Sequence, residues 1–251
     1  MAANLKQMTF MIPVRIDSPD RHNNINYVVE FLIRNFDSNI IVYENGPVPT
    51  YENKHRVQHI FEHNHGPFHR TRYLNIMTRM ATTDLVANYD CDVIFPLKQI
   101  TRAYQILQLG EADAVFPYDG YFVNIMRYQL LSKAPNYNVD HLNPDEYANF
   151  GKSSMGGALF WNKKKLIAGG MENENFVSWG CEDWERIKRF SKLGFCIGRV
   201  KGPLYHINHA RSVDSDERNP FYNKNVAEFQ KIENMPAEGL REYIKTWPWL
   251  F

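Results

Sequence analysis

Apolar runs and helical periods alternate along the first half of the chain. Five runs of strand length, each bounded by polar residues, predict buried strands. These runs cover residues 9–15, 39–46, 57–63, 84–90 and 112–120. Apolar residues also recur at the spacing of an amphipathic helix over 24–36, 70–81 and 97–109. The alternation predicts an α/β fold, with a mostly parallel central sheet that carries helices on both faces.

The second half of the chain shows a less regular pattern. Strands are predicted at 156–161, 196–200 and 204–208, and helices at 182–193, 226–232 and 237–246. Pro135 and Pro144 interrupt the stretch 121–152, for which the pattern predicts no element. Because ligands bind beyond the carboxyl ends of parallel strands, candidate chemistry is expected in the loops that follow the predicted strands.

Composition narrows the class of protein. The 251 residues are 44% hydrophobic and 23% charged, which excludes a disordered or fibrous chain. Lys and Arg total 29 against 28 for Asp and Glu, so there is no global basic field to hold nucleic acid. Three scattered cysteines exclude a disulfide framework and are interpreted as buried, reduced thiols of a cytoplasmic protein.

The two ends of the sequence bear on membrane contact. The start lacks the apolar core of a signal peptide, and no apolar stretch in the chain is long enough to cross a bilayer. The aromatic tail at 241–251 is expected to dock on the domain, with peripheral membrane contact left open as the alternative.

The first candidate for chemistry is Asp90-Cys91-Asp92, at the end of the predicted strand 84–90. Two carboxylates one residue apart suit a hard divalent cation that is shared with a diphosphate. A second such pair, Asp214 and Asp216, follows no strand and is interpreted as part of a solvated loop. The position at a strand end therefore makes the first pair the metal candidate.

Two further candidates lie downstream. His206 and His209 stand three residues apart and could add nitrogen ligands to the same cation, or they are half-exposed loop histidines. Glu182 and Asp183 follow Trp179 at a predicted helix start. An acidic pair there is favoured by the helix dipole, so the alternatives are capping and a general base beside an indole that stacks on sugar.

A histidine-rich segment superficially suggests a zinc site. Its histidines are His55, His59, His63, His65 and His69. The segment lacks the H-E-x-x-H order of helical zinc sites, and residues 57–63 alternate like a strand. It is therefore interpreted as a structural or surface feature.

The motifs occur in an order that resembles the β-1,4-galactosyltransferase family. In that family a GG-strand, a sugar-binding loop and a W-G-x-E-D helix start follow one another, after a P-x-R turn, an F-x-R-x-x-x-L-N helix start and a D-x-D. The corresponding blocks here are the P-x-R at 13–15, PFHRTRYLN at 67–75, YDCDVIF at 89–95, the stretch from GGALFW to KLGF at 156–195, and HINHARS at 206–212. The similarity spans about 9–225, with poor matching over 121–150. Five blocks in one order are harder to obtain by accident than any single motif.

The resemblance implies a GT-A fold that has a smaller acceptor-binding part. Residues 1–120 would form the nucleotide-sugar-binding part, and residues 121–251 the acceptor-binding and catalytic part of the same domain. Transfer would be inverting and would use a UDP-sugar together with Mn²⁺ or another divalent cation. The expected sites are Pro13, Arg15, Phe68, Arg70, Asp90, Gly157 and Trp179 for nucleotide and donor, Asp92, His206 and His209 for the metal, and Glu182 and Asp183 for catalysis.

Within that resemblance, Asp183 would be the catalytic base and Glu182 would orient the acceptor. Ser154 stands where galactose-using members carry a Tyr, so galactose, N-acetylgalactosamine and N-acetylglucosamine all stay open. Cys181 and Trp184 replace a Gly and an Asp of the family, which implies a different acceptor side, and His206 replaces a Met.

The expected function is transfer of a hexose or N-acetylhexosamine to the hydroxyl of a glycan or lipid-linked glycan, in bacterial polysaccharide synthesis. One alternative is a retaining enzyme similar to polypeptide N-acetylgalactosaminyltransferases, which also pair a D-x-D-like motif with a later His. Another is a non-catalytic nucleotide- or glycan-binding module. A nucleotidyltransferase is disfavoured because no Gly-rich phosphate loop lies near Arg15.

Overall fold

The structure is a computed structural model and describes residues 2–52, 56–212 and 215–250. Its strands are β1 (Ala3–Val14), β2 (Phe36–Gly46), β3 (Val57–His63), β4 (Leu85–Tyr89), β5 (Val93–Ile94), β6 (Ala114–Phe116), β7 (Phe122–Ile125), β8 (Ala148–Asn149), β9 (Ala158–Asn162), β10 (Ile197–Arg199) and β11 (Leu204–Ile207). Its α-helices are α1 (Pro19–Asn35), α2 (Arg70–Met80), α3 (Leu97–Gln108), α4 (Arg127–Lys133), α5 (Lys163–Ala168), α6 (Glu182–Lys192), α7 (Tyr222–Asn234) and α8 (Ala237–Lys245). His55 and Asp214 lie outside the described residues.

The larger of two sheets has the strand order β10-β6-β9-β4-β1-β2-β3 within the described residues. All of its pairings are parallel except those of β9, which runs antiparallel to β4 and β6. The predicted mostly parallel sheet flanked by helices is therefore confirmed. Since β9 is antiparallel, its first residues lie at the same sheet edge as the last residues of β4.

The central strand β1 anchors the core. Phe10 is fully buried and meets the rings of Tyr89 and Phe160 edge to face, at centroid distances of 5.4 and 5.8 Å. The chain then turns into α1, where the Ser18 side chain accepts a hydrogen bond from the Arg21 backbone and Pro19 occupies the first turn. The helix begins several residues before the apolar period over 24–36, and this start places the first turn of α1 directly beyond β1.

A smaller sheet combines the strand predicted at 204–208 with segments that the sequence pattern left unassigned. Its order is β5-β11-β7-β8, with β11 parallel to β7 and antiparallel to β5. Both β7 and β8 belong to the stretch 121–152, and each is too short to show a strand period. They form because β11 and each other supply their hydrogen-bond partners. This sheet carries His206 to the edge of the larger one.

The C-terminal tail docks on the domain, as expected. Trp247 is buried with Leu193, Ile232 and Leu240 in a small second core, and its ring stacks on that of Trp249. None of the described helices combines the length and apolar character that a membrane span needs. The prediction that all three thiols are buried is wrong, because only Cys91 is buried among them, while Cys181 is half-buried and Cys196 is exposed.

Gly157 joins the two sheets at the point where β9 begins. Its φ is +87°, and an added Cβ would lie 2.3 Å from Cδ1 of the fully buried Leu204 in β11. We expect Gly157→Ala to lower the free energy of unfolding by about 2–5 kcal/mol, because a left-handed conformation and overpacking both add to the cost.

The matched control is Gly110→Ala, measured in the same urea titration. Gly110 also has a positive φ, +69°, but no atom lies within 4 Å of an added Cβ. In this variant the free energy of unfolding is expected to fall only by the cost of the left-handed backbone conformation, about 1–2 kcal/mol. Equal losses in both variants would contradict a packing role for Gly157.

Candidate active site

One cavity, of about 250 Å³, lies at the carboxyl ends of β1 and β4. All of the residues that the sequence analysis assigned to a site line it, namely Pro13, Arg15, Phe68, Arg70, Asp90, Asp92, Gly157, Trp179, Glu182, Asp183, His206 and His209. They come from both sheets, from α2 and from the start of α6. The topology explains the convergence, because strand ends of a parallel sheet share one edge.

Asp92, His206 and His209 form the one group of possible metal ligands found among the described His, Cys, Asp and Glu side chains. Their ligand atoms all lie within 4.8 Å of one another. Asp92 Oδ2 is 3.0 Å from His209 Nε2, and Asp92 Oδ1 is 3.9 Å from His206 Nε2. One carboxylate and two imidazoles with converging lone pairs are a donor set that suits Mn²⁺ or a similar divalent cation.

Hydrogen bonds hold both imidazoles with Nε2 toward Asp92. His206 Nδ1 donates to Asn124 Oδ1 at 2.8 Å, and Asn124 is oriented by its own bond to Asn208. His209 Nδ1 donates to the carbonyl of Ala210 at 2.7 Å. Because Nδ1 carries the proton in each ring, Nε2 is left as the ligand atom, which is the arrangement that metal-binding histidines use.

Burial and neighbouring charges shift the pKa values of the three candidate metal ligands in different directions. Burial works against ionisation of Asp92, but the two histidines and Arg21, 3.6 Å away, lower its pKa below the ordinary value. Burial lowers the pKa of His206, which favours its neutral form. Burial also works against the charged form of His209, but the hydrogen bond with Asp92 and the charge of Asp92 together outweigh burial and raise the pKa of His209. The pair Asp92 and His206 is thus kept in the protonation states that metal binding requires.

Arg70 occupies the floor of the cavity. Its Nη2 donates to Asp90 Oδ1 at 2.6 Å, and its Nη1 lies 3.6 Å from Asp183 Oδ1. Nη1 is buried and makes no hydrogen bond in the described structure. A buried guanidinium with an unused N–H beside the ligand triad fits an anionic group such as a phosphate.

The first turn of α6 presents Asp183 to the cavity. Arg186 Nη1 donates to Asp183 Oδ1 at 2.8 Å. The other oxygen, Oδ2, faces Gly156, where an added Cβ would lie only 2.7 Å from it. The glycine at this position therefore leaves room for the Asp183 carboxylate.

Glu182 is buried beside Asp183 and accepts a hydrogen bond from the Gly180 backbone at 2.9 Å. Burial, together with the charge of Asp183, raises the pKa of Glu182 to about 7. Adjacent carboxyl groups at one helix start therefore meet very different surroundings, since Asp183 has an arginine hydrogen bond and Glu182 has a backbone amide.

The loop before α6 is held in an uncommon conformation. Ser178, Gly180 and Cys181 have φ of +60°, +128° and +68°. Non-glycine residues in this region cost free energy, and such sites cluster where function requires them. The strain brings Trp179 to the cavity rim, where its ring stacks on Tyr222 of α7 at 5.9 Å and an interplanar angle of 10°. Trp179 remains 39% exposed, so its other face is available for stacking.

A second cavity, of about 440 Å³, adjoins the first and shares Gly156, Trp179, Glu182 and Asp183 with it. Its outer wall carries Phe150 and Trp184, whose exposed rings are typical of a surface that contacts sugars or other flat ligands. Asp183 thus stands between a cavity with metal ligands and a cleft with aromatic walls.

Several residues that shape the site escaped sequence reasoning. Arg21 lies in the first turn of α1, and Asn124 lies in the stretch 121–152, where apolar residues show no regular spacing. Neither residue therefore stood out in the sequence as part of a site. Arg186 stands on a helix whose charged residues are typical of an exposed face, yet it is 1% exposed. The signal available was the acidic and basic residues paired four apart on that helix, Glu185 and Arg189.

The histidine-rich segment makes no metal site in its described part. Residues 57–63 form β3 as expected, and His59 bonds Glu44 at 2.9 Å. The rings of His63 and His65 meet edge to face, and His69 bonds the Glu174 carbonyl at 2.9 Å. These histidines have structural contacts, which agrees with the interpretation from sequence.

Comparison with known proteins identifies the fold. The family described as the N-terminal domain of galactosyltransferase matches residues 140–212, a segment that includes Gly156, Asp183 and His209. A Drosophila β1,4-galactosyltransferase 7 mutant, solved with manganese, UDP-Gal and xylobiose, has a TM-score of 0.57 and 15% identity over 96% of this chain and 84% of its own. The chain has the GT-A fold.

A second neighbour of the same fold is glucosyl-3-phosphoglycerate synthase from Mycobacterium tuberculosis, solved with Mn²⁺, UDP-glucose and phosphoglyceric acid. Its TM-score is 0.55 at 15% identity, over 92% of this chain and 81% of that chain. No curated protein sequence gives a significant match. The GT-A fold expected from the motifs is therefore confirmed, although the sequences of these neighbours differ widely from this one.

We expect His209→Ala to weaken Mn²⁺ binding by at least tenfold, because it removes one converging ligand and leaves Asp92 without that partner. Isothermal titration calorimetry with MnCl₂ measures the change. The control is His63→Ala, which removes an imidazole from the histidine-rich segment and should leave the affinity unchanged. A loss of affinity in the control alone would move the metal site to that segment.

The raised pKa of Glu182 predicts a pH-dependent stability. Between its ordinary value of 4.5 and about 7, the folded protein keeps a proton that the unfolded chain releases. The free energy of unfolding should therefore fall as pH rises through this window, by about 3 kcal/mol from this group. Glu182→Gln should match the wild type at pH 4 and exceed it at pH 8 in urea titrations. Glu238→Gln, on an exposed position of α8, should show no such difference.

Proposed function

We propose that this chain is a divalent-cation-dependent glycosyltransferase that moves a hexose or N-acetylhexosamine from a UDP-sugar to a glycan hydroxyl with inversion. The observation that carries the proposal is the position of Asp183 between the two cavities. On one side lie a ligand triad and a buried arginine suited to a diphosphate, and on the other an aromatic cleft suited to an acceptor. The neighbours solved with Mn²⁺ and UDP-sugars support this choice of ligands.

Asp92, His206 and His209 would hold the cation, which fits their donor set and the orientation of both imidazoles. When bound, a divalent cation supplies Lewis-acid stabilisation of the diphosphate leaving group. Arg70 would donate its unused Nη1 hydrogen to the same diphosphate, and Asp90 would keep Arg70 in place through their hydrogen bond.

Pro13, Arg15 and Phe68 would form the nucleotide end of the cavity. Arg15 lies over the Phe68 ring at 5.8 Å and bonds Asn45, which orients its guanidinium. Gly157 and Trp179 would border the donor sugar. Residues 1–120 would then supply most nucleotide contacts and residues 121–251 most catalytic and acceptor contacts.

Asp183 would act as the general base. Its carboxylate takes the proton from the acceptor hydroxyl as that oxygen bonds to C1 of the donor sugar, while the bond from C1 to the diphosphate oxygen breaks. Attack from the face opposite the leaving group inverts the anomeric centre. Glu182, at the same helix start, would orient the acceptor, and Trp179 would stack on it across the cavity rim.

The sugar and the acceptor are the finer parts of the proposal. Ser154 lines the second cavity, where it receives a hydrogen bond from the buried Tyr118 hydroxyl at 3.1 Å, and it puts a small side chain at the position where galactose-using members of the resembled family carry a Tyr. An N-acetyl group is therefore a candidate as well as the hydroxyl of galactose. A glycan or lipid-linked glycan of a bacterial polysaccharide, made in the cytoplasm, is the acceptor class that we propose from the sequence.

Two other functions predict different products. A retaining enzyme would give an α-linked product from a UDP-α-sugar, which proton NMR of the anomeric centre distinguishes from the β-linkage expected here. A binding module would give no UDP release with any donor and acceptor. Asp183 beside an arginine at the wall of both cavities favours the inverting enzyme over either alternative.

We expect Asp183→Asn to reduce turnover at least 1000-fold while UDP affinity in the presence of Mn²⁺ stays within about twofold, because only the base is lost. UDP release is measured with UDP-galactose, UDP-N-acetylgalactosamine, UDP-N-acetylglucosamine and UDP-glucose against a panel of glycan acceptors that includes xylobiose. Calorimetry with UDP and Mn²⁺ gives the affinity.

The matched control for this substitution is Asp216→Asn, in the other acidic pair, which should keep full turnover. Asp216 forms an ion pair with Arg218 on the surface rather than facing Arg186. Unchanged turnover of Asp183→Asn would place the base elsewhere.

A further inference from the structure

Arg186 is a buried cation directly behind the proposed base. It is 1% exposed, although arginine is rarely buried without a specific partner. Its Nη1 donates to Asp183 Oδ1 at 2.8 Å, and its Nε donates to both oxygens of Glu172 at 2.8 and 2.9 Å. One guanidinium therefore links the carboxylate at the cavity to a carboxylate in the core.

Glu172 is itself fixed from several sides. Asn88 of β4 donates to Glu172 Oε1 at 2.7 Å. Asn75 of α2 accepts from the Glu172 backbone N–H at 2.8 Å and donates to its carbonyl at 3.0 Å. The preceding residue, Met171, has a left-handed φ of +60°, which turns the chain toward this network. The guanidinium thus rests on a carboxylate that cannot move independently of the sheet and α2.

The two oxygens of Asp183 have different surroundings. Oδ1 receives the Arg186 hydrogen bond and lies 3.6 Å from Arg70 Nη1. Oδ2 accepts no hydrogen bond from the described protein groups and lies beside Gly156, which lines both cavities. One oxygen of Asp183 is therefore fixed by Arg186, and the other makes no hydrogen bond at a residue position that lines both cavities.

We propose that Arg186 is the positioning residue for the base: it holds Oδ1 of Asp183 and leaves Oδ2 as the oxygen that takes the acceptor proton. This inference rests on the proposed function. Arg186 does not touch the substrates itself, because Asp183 lies between it and the cavity. Glu172 balances the guanidinium, so that it shares its charge between two carboxylates.

The charged and titratable groups that face Asp183 come from every element around it. They are Arg70 on α2, Arg186 and Glu182 on α6, Asp90 after β4, the Tyr118 hydroxyl after β6, and Glu172 behind Arg186. Without the charge of Arg186, Arg70 alone would have to offset Asp90, Glu172, Glu182 and Asp183. Loss of this cation should therefore move the acidic limb of the pH–rate profile to higher pH, since uncompensated like charges disfavour ionised carboxylates.

Arg189 provides a matched comparison on the same helix. It is also fully buried and also pairs with a glutamate, Glu185, at 2.6 Å. Its other hydrogen bonds go to the carbonyls of Gly169 and Met171, and none goes to Asp183. Substituting Arg189 therefore disturbs a buried ion pair of α6 without touching the base.

The experiment measures the pH dependence of kcat/KM for UDP release from UDP-galactose, or from whichever donor of the panel is turned over fastest, with Mn²⁺ and the full chain. For Arg186→Gln we expect kcat to fall about 10–100-fold. The acidic limb of the profile of kcat/KM against pH should move to higher pH by about one pH unit. UDP affinity should stay within about twofold. Arg186→Lys should recover part of the rate and of the shift, because it restores the charge without the forked geometry.

Glu172→Gln tests the same network in the opposite direction and preserves its shape. The buried Asn88 Oδ1 makes no hydrogen bond, so a flip of that amide accommodates the new NH₂ group. Removing this negative charge should move the acidic limb to lower pH. This variant keeps the inference testable if Arg186→Gln fails to fold.

The outcomes separate the inference from the proposed function. Arg189→Gln should lower the melting temperature and leave the acidic limb in place; an equal shift there would make the Arg186 effect a general loosening of α6. If Asp183→Asn is inactive while the Arg186 and Glu172 variants leave the limb unmoved, the positioning role is wrong and the base stands. If Asp183→Asn is fully active, the proposed base itself is wrong.

Discussion

Electrostatic repulsion among carboxylates is the constraint on which the site depends. Asp90, Asp92, Glu182 and Asp183 lie around one cavity of about 250 Å³. Buried groups of like charge cannot all ionise unless cations stand beside them. The structure supplies an arginine or an imidazole to Asp90, Asp92 and Asp183, although burial still raises the pKa of Asp90. Glu182 has only a backbone amide at hydrogen-bond distance, and burial together with the charge of Asp183 raises its pKa to about 7.

That balance assigns different chemistry to residues of one type. Asp92, between two imidazoles and a guanidinium, stays an anion suited to a cation ligand. Asp183 receives the Arg186 hydrogen bond on one oxygen, and its other oxygen lies beside Gly156 at the wall of the cavity. Neutral and ionised carboxyls side by side are a recurrent way to place acid and base roles at one pH. Here the difference comes from which partner reaches each group, not from the residue itself.

Two glycines support this arrangement because they let neighbouring groups approach the backbone closely. Gly156 leaves room for Asp183, and Gly157 lets β9 meet Leu204 of the smaller sheet, which brings His206 to Asp92. The left-handed residues at 178–181 turn the chain so that Trp179 reaches the rim and α6 starts beside the cavity. Asn225 of α7 donates to the carbonyls of Val177 and Trp179 and holds this loop from behind. The two cavities are therefore joined by close backbone and hydrogen-bond contacts.

The sequence by itself determined the elements whose apolar residues recur at a regular spacing, such as β3 and α2. It also determined the motifs that occur as short runs, such as Asp90 to Asp92 and Glu182 to Asp183. These signals are local, because periodicity and spacing record how neighbours along the chain share a face. Tertiary structure alone decided that β7 and β8 form within 121–152, that Asn124 orients His206, and that Arg186 is buried between Glu172 and Asp183. An arginine on a helix looks the same in sequence whether it faces solvent or a carboxylate. Its role depends on distant partners that only the folded chain brings within hydrogen-bond distance.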